Sequence, residues 1–150
     1  MTKRIIQKDT YSCFACVAAM ITGETVVDVF NFVGHDGSGF SEKSTHPEKC
    51  VGFGWIEMLK YLIEHRYTIG SWAAFDDPSD ISQFSEIHFE IIMNSSSAII
   101  EVVSKRLGGG CSHVIYWNGN KIYDPSPAGK ESPSFSDYGV LKFIPVIHFE

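Results

Sequence analysis

The periodicity of the apolar residues changes along this chain, and that change most restricts the folds the chain can adopt. Up to residue 65, apolar residues recur at the three- and four-residue spacing of amphipathic helices. From residue 98 onward they form the short runs that are typical of strands. A helical half followed by a strand-rich half predicts an α+β fold, with N-terminal helices packed on an antiparallel sheet.

Capping residues and apolar stripes predict three helices in the first half. The first begins near Ser12, a residue type that caps helix N-termini, and ends at Gly23. Thr25 and Asp28 have the spacing of a capping box and start the second helix. The second and third helices are predicted at residues 25–33 and 53–65, on either side of a long Gly-rich connection at residues 34–52.

The second half predicts strands and at least one tight hairpin. Asn118 and Gly119 lie between two apolar runs, which is a strong short-range hairpin signal. Pro145 has no backbone N–H and suggests an edge or a bulge in the last strand. The predicted strands cover residues 69–75, 98–103, 113–117, 121–123 and 140–147, and a further helix is predicted at residues 81–94.

Length and composition narrow the class of protein. We expect residues 1–150 to form one domain, because 44% of them are hydrophobic and can build one core. The net charge of −6 argues against binding nucleic acid by neutralising phosphates, and no apolar run is long enough to span a membrane. The N-terminus lacks the apolar stretch of a secretory signal, and four cysteines are too few for a disulfide scaffold. We therefore expect a cytoplasmic protein with reduced thiols.

Cys13 falls in the first turn of the first predicted helix. The unpaired backbone N–H groups and the helix dipole stabilise a thiolate there, and the thiolate is the nucleophile of acyl-transfer chemistry. His113, which opens a predicted strand, is the candidate base, and Asp124 at the end of the partner strand can hydrogen-bond its imidazole. Gln7, six residues before Cys13, can reach a developing oxyanion with its side-chain amide.

With these residues in this order, the sequence resembles the papain-like cysteine peptidases. The features in common are Gln7 followed by Cys13 at the start of a small-residue helix, a Gly-rich approach to His113, and Asp124 before Pro125. More narrowly, the chain resembles the branch that trims bacteriocin leader peptides, compact versions of which are often found in bacteriophage and bacterial genomes. The resemblance implies a papain-like cysteine peptidase fold, a peptide or protein substrate and no cofactor. It also implies that Cys13 is the nucleophile, His113 the base, Asp124 the orienter of that base and Gln7 the oxyanion donor.

Three further residues are predicted to contact substrate, namely Phe14, His35 and Ser112. Phe14 stands where members of this family commonly have Gly, and its bulk would line or narrow a subsite. His35 lies in the polar Gly-rich connection, which could form a lip of the cleft, and Ser112 directly precedes His113. Phe14 also leaves open a second class of function, a non-catalytic binding or inhibitory module that keeps the fold.

A third hypothesis uses the cysteines as metal ligands. Cys13, Cys16, Cys111 and His113 together offer the four ligands of a tetrahedral zinc site. Two features count against it, because Cys13 and Cys16 lie on a predicted helix rather than a tight turn, and Cys111 is much farther along the chain than in compact zinc modules. It also leaves two members of the catalytic set without a role. The sequence therefore favours a hydrolase over a zinc site.

Overall fold

The computed structural model describes residues 1–39, 52–71, 73–74, 96–104 and 112–150. Within these residues three helices precede a six-stranded antiparallel sheet, so the predicted α+β class is confirmed. The helices are α1 (Cys13–Thr22), α2 (Val26–Val33) and α3 (Trp55–Glu64). The strands are β1 (Tyr67–Ile69), β2 (Ala73–Ala74), β3 (Ser97–Val103), β4 (Ser112–Trp117), β5 (Ile122–Tyr123) and β6 (Val140–His148). A 3-10 turn at Phe135–Asp137 precedes β6.

The ends of the helices follow the predicted capping residues. Thr25 and Asp28 form the expected capping box of α2, in which the Asp28 N–H donates to Thr25 Oγ1 at 3.2 Å. Gly23 and Gly34 adopt the left-handed conformation that ends α1 and α2. The third helix begins at Trp55, two residues later than predicted. The capping residues thus set these boundaries as local sequence physics requires.

The start of α1 differs from the prediction in one detail. Ser12 occupies the N-cap position and its carbonyl oxygen accepts the N–H of Cys16 at 3.0 Å, but its side chain does not cap the helix. The carboxylate of Asp9 holds the approach instead, because its Oδ1 accepts the N–H groups of Tyr11 at 2.9 Å and Ser12 at 2.7 Å. This turn fixes the chain just before Cys13.

The central helix is α1, whose residues 14–21 are all buried between β4 and the other two helices. Its small residues, Ala15, Ala18 and Ala19, allow close packing. Among the described helices none alone is long and apolar enough to cross a membrane, and α1 and α2 pass that test only as a pair bent by 110°.

The sheet has the strand order β1-β6-β3-β4-β5, with β2 also paired to β6. Side chains of β3 alternate between two cores, as the two-residue period of a strand requires. Ile99 packs in the cluster that contains the helices, whereas Ile100 and Val102 belong to a second cluster on the opposite face. Phe135 and Tyr138 pack against that second cluster.

The last strand is interior, so the expectation of an edge or a bulge at Pro145 is wrong. β6 pairs with β3 on one side and with β1 and β2 on the other. Pro145 lies opposite the gap between β1 and β2, where its carbonyl oxygen accepts the N–H of Gly70 at 2.9 Å and no donor is needed. The bulge of this strand lies elsewhere, after Glu101, where Leu141 is the extra residue.

Two predicted segments lie partly or wholly outside the described residues. The strand predicted at residues 69–75 is two short strands, β1 and β2, and residues 72 and 75 are not among the described residues. The helix predicted at residues 81–94 also lies outside the described residues, as does most of the connection predicted at residues 34–52.

The predicted hairpin is present, because β4 and β5 pair antiparallel around a turn at Asn118 and Gly119. The Asn118 side-chain oxygen accepts two backbone N–H groups of the turn, and Gly119 has a φ of +92°, which glycine adopts at little cost. Continuing the strand register to the open end of the hairpin places Asp124 on the same face as His113, one diagonal step away. The hairpin therefore delivers these two side chains to one place.

Candidate active site

Cys13 is the first residue of α1 and is half-buried. The N–H groups of a first helical turn have no acceptor within the helix, so this thiol lies at the positive end of the helix dipole. The predicted position of Cys13 at a helix start is therefore confirmed, and its catalytic role stays a prediction.

The Cys13 side chain lines a cleft of about 580 Å³. One wall comes from the N-terminal segment and α1, and the other from the ends of β3 and β4 and the segment that follows β5. The lining residues are Gln7, Thr10, Cys13, Val102, Val103, Ser104, Ser112, His113, Asp124, Ser126, Pro127, Ala128, Gly129, Lys130, Pro133, Asp137 and Tyr138. All four members of the predicted catalytic set thus reach the same cleft.

His113 and Asp124 form a direct hydrogen-bonded pair. The Nε2–H of His113 donates to Oδ1 of Asp124 at 2.8 Å. Both side chains are well shielded from water, with side-chain exposures of 16% and 6%. Because Nε2 is used in this bond, Nδ1 is the ring nitrogen that remains for another partner. Cys13 lines the same cleft as this pair.

The protonation states follow from these contacts. Burial acts to lower the pKa of His113, but its hydrogen bonds to Asp124 and Cys13 outweigh burial and raise that pKa from 6.5 to about 9. Burial acts to raise the pKa of Asp124, but hydrogen bonds from His113, Ser126 and Tyr138 hold that pKa below its ordinary value. At neutral pH the pair is therefore an imidazolium beside a carboxylate.

Gln7 reaches the cleft from the other wall. Its backbone N–H donates to the carbonyl oxygen of Pro125 at 2.8 Å, which ties the N-terminal segment to the residue after Asp124. Its side-chain Nε2 donates to the carbonyl oxygen of Asp9 at 2.6 Å. An amide nitrogen carries two N–H groups, so this bond uses only one of them. Gln7 is only 6% exposed, so its side chain is enclosed by neighbouring residues.

Two residues next to Asp124 were not found from the sequence. Tyr138 donates its hydroxyl to Oδ2 of Asp124 at 2.7 Å. Arg4 donates to three backbone carbonyl oxygens, those of Asp124 at 2.7 Å, Ser126 at 2.8 Å and Gly129 at 3.2 Å. Neither residue belongs to a motif, and Arg4 is separated from Asp124 by 120 positions, so no local pattern could have indicated them.

Gly129 allows this part of the wall to close on Asp124. A Cβ at this position would lie 2.8 Å from Nη2 of Arg4 and 3.0 Å from both Cγ of Asp124 and the carbonyl oxygen of Ser126. An added side chain would therefore require Arg4, Asp124 or Ser126 to shift. The glycine is favoured here by packing rather than by its φ angle.

The three residues predicted to contact substrate lie in different places. Ser112 is exposed at the start of β4 and lines the cleft. Phe14 is 6% exposed and packs edge-on against Trp55 at 4.6 Å between ring centroids, so its ring belongs to the core and does not line the cleft. His35 pairs with Glu57 at 2.8 Å and stacks on Phe53, likewise outside the cleft lining. For Phe14 and His35 the helical packing overrides the expected position.

Of the four ligands in the zinc hypothesis, Cys111 lies outside the described residues. Cys16 faces the core, where burial raises the pKa of its thiol to about 12. Within the part of the chain that the structure describes, no three His, Cys, Asp or Glu side chains are grouped as metal ligands.

No protein-family model and no curated protein sequence matches this chain. Among solved structures, it is similar to a double glycine motif protease from an AMS/PCAT transporter, determined in complex with the leader peptide. The two structures superpose with a TM-score of 0.51 at 15% sequence identity, over 97% of this chain and 92% of that chain. At this level of identity the likeness shows a common fold.

Proposed function

We propose that this protein is a papain-like cysteine peptidase or amidase that cleaves a peptide, isopeptide or related amide bond through an acyl-enzyme. The observation that carries the proposal is the hydrogen-bonded pair of His113 and Asp124 at the cleft that Cys13 also lines. A carboxylate, an imidazole and a thiol in that order are an orienter, a base and a nucleophile. The fold in common with a double glycine motif protease supports the same class of reaction.

In the proposed mechanism, Cys13 attacks as a thiolate beside a protonated His113. The raised pKa of His113, about 9, keeps the imidazole charged at neutral pH, and that charge favours the thiolate beside it. The ionised Asp124 stabilises the imidazolium and fixes its ring orientation.

Acylation begins when Sγ of Cys13 attacks the carbonyl carbon. A C–S bond forms and an electron pair moves onto the carbonyl oxygen, where the second Nε2–H of Gln7 and the backbone N–H of Cys13 act as donors. When the carbonyl re-forms, the C–N bond breaks and the proton on Nδ1 of His113 passes to the leaving amine. The products of this step are a thioester at Cys13, a free amine and a neutral imidazole.

Deacylation uses the same groups, and His113 now acts as a base. A water molecule attacks the thioester carbon while His113 takes one of its protons. The C–S bond then breaks, which releases a carboxylic acid and restores the thiolate and imidazolium. A second amine in place of water would give acyl transfer with the same residues.

We propose a peptide segment as the substrate. The cleft has polar residues such as Ser112 and Ser126 beside apolar ones such as Val103 and Pro127, a mixture that suits a peptide main chain with small side chains. The structural neighbour was determined with a leader peptide bound. We further propose that residues 1–150 work as one domain in the cytoplasm, where a reducing environment keeps Cys13 as a thiol.

Selective alkylation tests the proposed nucleophile. Iodoacetamide followed by peptide mass spectrometry should modify Cys13 well below about pH 8, and much faster than the buried Cys16. The variant His113→Ala should slow this reaction. A matched control is His65→Ala, whose ring contacts Tyr61 on α3 outside the cleft lining. Equal rates at the two cysteines, or an unchanged rate in His113→Ala, would contradict the proposal.

A peptide library separates turnover from binding. The wild-type protein is incubated with peptides from a proteome digest, and new termini are identified by mass spectrometry. Cys13→Ala should abolish every such cleavage while leaving the fold intact. If wild type and Cys13→Ala both cleave nothing yet retain the same peptides on a column, the chain is a binding module rather than an enzyme.

A further inference from the structure

The carboxylate of Asp124 is held by three donors, of which His113 is only one. Its Oδ1 accepts the Nε2–H of His113 and the N–H of Ser126, each at 2.8 Å. Its Oδ2 accepts the hydroxyl of Tyr138 at 2.7 Å, and this is the only donor to Oδ2 among the residues the structure describes. Among the described residues, Tyr138 is therefore the donor to one of the two carboxylate oxygens, and the other two donors share the second oxygen.

We propose that Tyr138 is a positioning residue that holds the Asp124 carboxylate in the orientation in which it directs His113 toward Cys13, an inference that rests on the proposed function of this site. Asp124 is 5% exposed, so water cannot easily replace a lost donor. Without the phenol, Oδ2 becomes a buried charged oxygen with no partner. The carboxylate then turns toward another donor or toward solvent, and its bond to His113 weakens.

The fold keeps Tyr138 in place independently of Asp124. Its ring packs against the second core cluster, on the face of the sheet opposite the helices. Its backbone N–H donates to the carbonyl oxygen of Phe135 at 3.1 Å, at the end of the 3-10 turn. The next residue, Gly139, accepts the N–H of Val103 at 2.8 Å, which links this segment to β3. The hydroxyl is thus presented to Asp124 by a ring that packing and backbone bonds already fix.

The chemistry of the phenol suits this role. Burial and the bond to the carboxylate both raise the pKa of Tyr138, so the hydroxyl keeps its proton and acts as a donor. The hydroxyl bonds Oδ2 and leaves Oδ1 to His113, which means that Tyr138 acts through Asp124 and does not touch the reacting atoms.

Tyr138→Phe removes only the hydroxyl and tests the inference directly. We expect alkylation of Cys13 at about pH 7 to slow about threefold to tenfold, because the imidazolium that favours the thiolate is less well held. The acid limb of the rate–pH profile should move to higher pH for the same reason. Tyr123→Phe is the matched control, because Tyr123 directly precedes Asp124 in the chain. Its hydroxyl accepts from the Asn118 side chain at the hairpin turn rather than donating to Asp124.

The second readout is the imidazole itself. Titration of His113 followed by NMR should show its pKa falling from about 9 toward 6.5 in Tyr138→Phe and unchanged in Tyr123→Phe. A purely structural role for Tyr138 would lower thermal stability without moving this pKa, and would overturn the inference. A rise in the pKa would also overturn it, because the phenol would then only withdraw charge from the carboxylate.

Different results would contradict the proposed function and the role of Tyr138. If wild-type Cys13 is no more reactive than Cys16, the proposed function fails. If wild-type Cys13 is selectively reactive but Tyr138→Phe and Tyr123→Phe both match it, only the role of Tyr138 is lost. Equal slowing in the two tyrosine variants would likewise overturn the positioning role, because it would reflect a general loss of structure.

Discussion

Replacing Asp124 with Asn tests whether the charge of this carboxylate, rather than its shape, sets the protonation state of His113. Asn keeps an oxygen that can accept from His113 and Ser126, and its amide nitrogen can donate to the Tyr138 hydroxyl. The change therefore removes one negative charge and preserves the hydrogen bonds. We expect the pKa of His113 to fall from about 9 to 6.5 or below, because burial disfavours the imidazolium and the carboxylate charge no longer offsets burial.

That change in pKa has a measurable effect on stability. The pKa of His113 is higher in the folded protein than its ordinary 6.5, so its stabilising effect is complete below pH 6.5 and is lost as the pH rises through about 9. A difference of roughly 2.5 pKa units corresponds to about 3 kcal/mol. Asp124 stays ionised throughout this window because its pKa is below its ordinary value. Every variant is made on a Cys13→Ala background, so that ionisation of the nucleophile does not offset the effect. The free energy of unfolding should then fall by up to about 3 kcal/mol across the window when Asp124 is present, and by about 1 kcal/mol or less in Asp124→Asn.

Urea unfolding at several pH values between 6.5 and 9 measures this slope. Asp28→Asn is the matched control, because it makes the same change at an exposed helix cap. It should lower stability by the same small amount at every pH in the window and leave the slope at its wild-type value. Ionisation of the Cys16 thiol on unfolding affects all three proteins equally near the upper limit. Equal slopes in wild type and Asp124→Asn would refute the reasoning.

Three further variants probe the rest of the site. Gly129→Ala forces a Cβ to 3.0 Å from Cγ of Asp124, and we expect it to cost about 1–3 kcal/mol in urea unfolding and to slow alkylation of the nucleophile; an unchanged stability would mean that this wall yields freely. Phe14→Ala should lower the free energy of unfolding by about 3–5 kcal/mol, because the ring packs against Trp55 in the core. It should leave KM for any cleaved peptide unchanged, and a changed KM would support the prediction that Phe14 contacts substrate. Gln7→Ala should lower kcat about 10²–10³-fold while iodoacetamide alkylation, which forms no oxyanion, keeps its wild-type rate; equal effects on both rates would remove the oxyanion role.

The elements that carry the site were accessible from the sequence because their signals are local. The capping box of α2, the glycine that ends α1 and the Asn-Gly turn each act within a few residues, and the structure contains all three. Local patterns were less informative where neighbours decide the outcome. Pro145 suggested an edge, yet its strand is interior. A proline fits there because the two short strands on that side leave a gap at this residue.

The members of the candidate site were also identified as residue types in a chain order, and the structure brings Cys13, His113, Asp124 and Gln7 to one cleft. Their roles remain proposals. The sequence placed Phe14 and His35 near substrate, whereas packing buries the first and pairs the second with Glu57. Whether a side chain points to the core or to a cleft depends on how helices pack, and spacing along the chain carries little information about that.

Local sequence alone determined that a cysteine starts a helix and that helices precede a sheet. It also determined that a histidine and an aspartate lie at the open end of one hairpin, the first near the start of one strand and the second after its partner. Only the tertiary structure decided what surrounds the carboxylate of Asp124. Arg4 donates to the backbone carbonyl oxygen of Asp124 across 120 positions, Tyr138 donates to the carboxylate from beyond a 3-10 turn, and Gly129 lies so close that an added Cβ would be 3.0 Å from Cγ of Asp124. The physical reason is that helix caps and tight turns depend on bonds between near neighbours, whereas the protonation of a buried group depends on every donor and charge that the folded chain brings within a few ångströms.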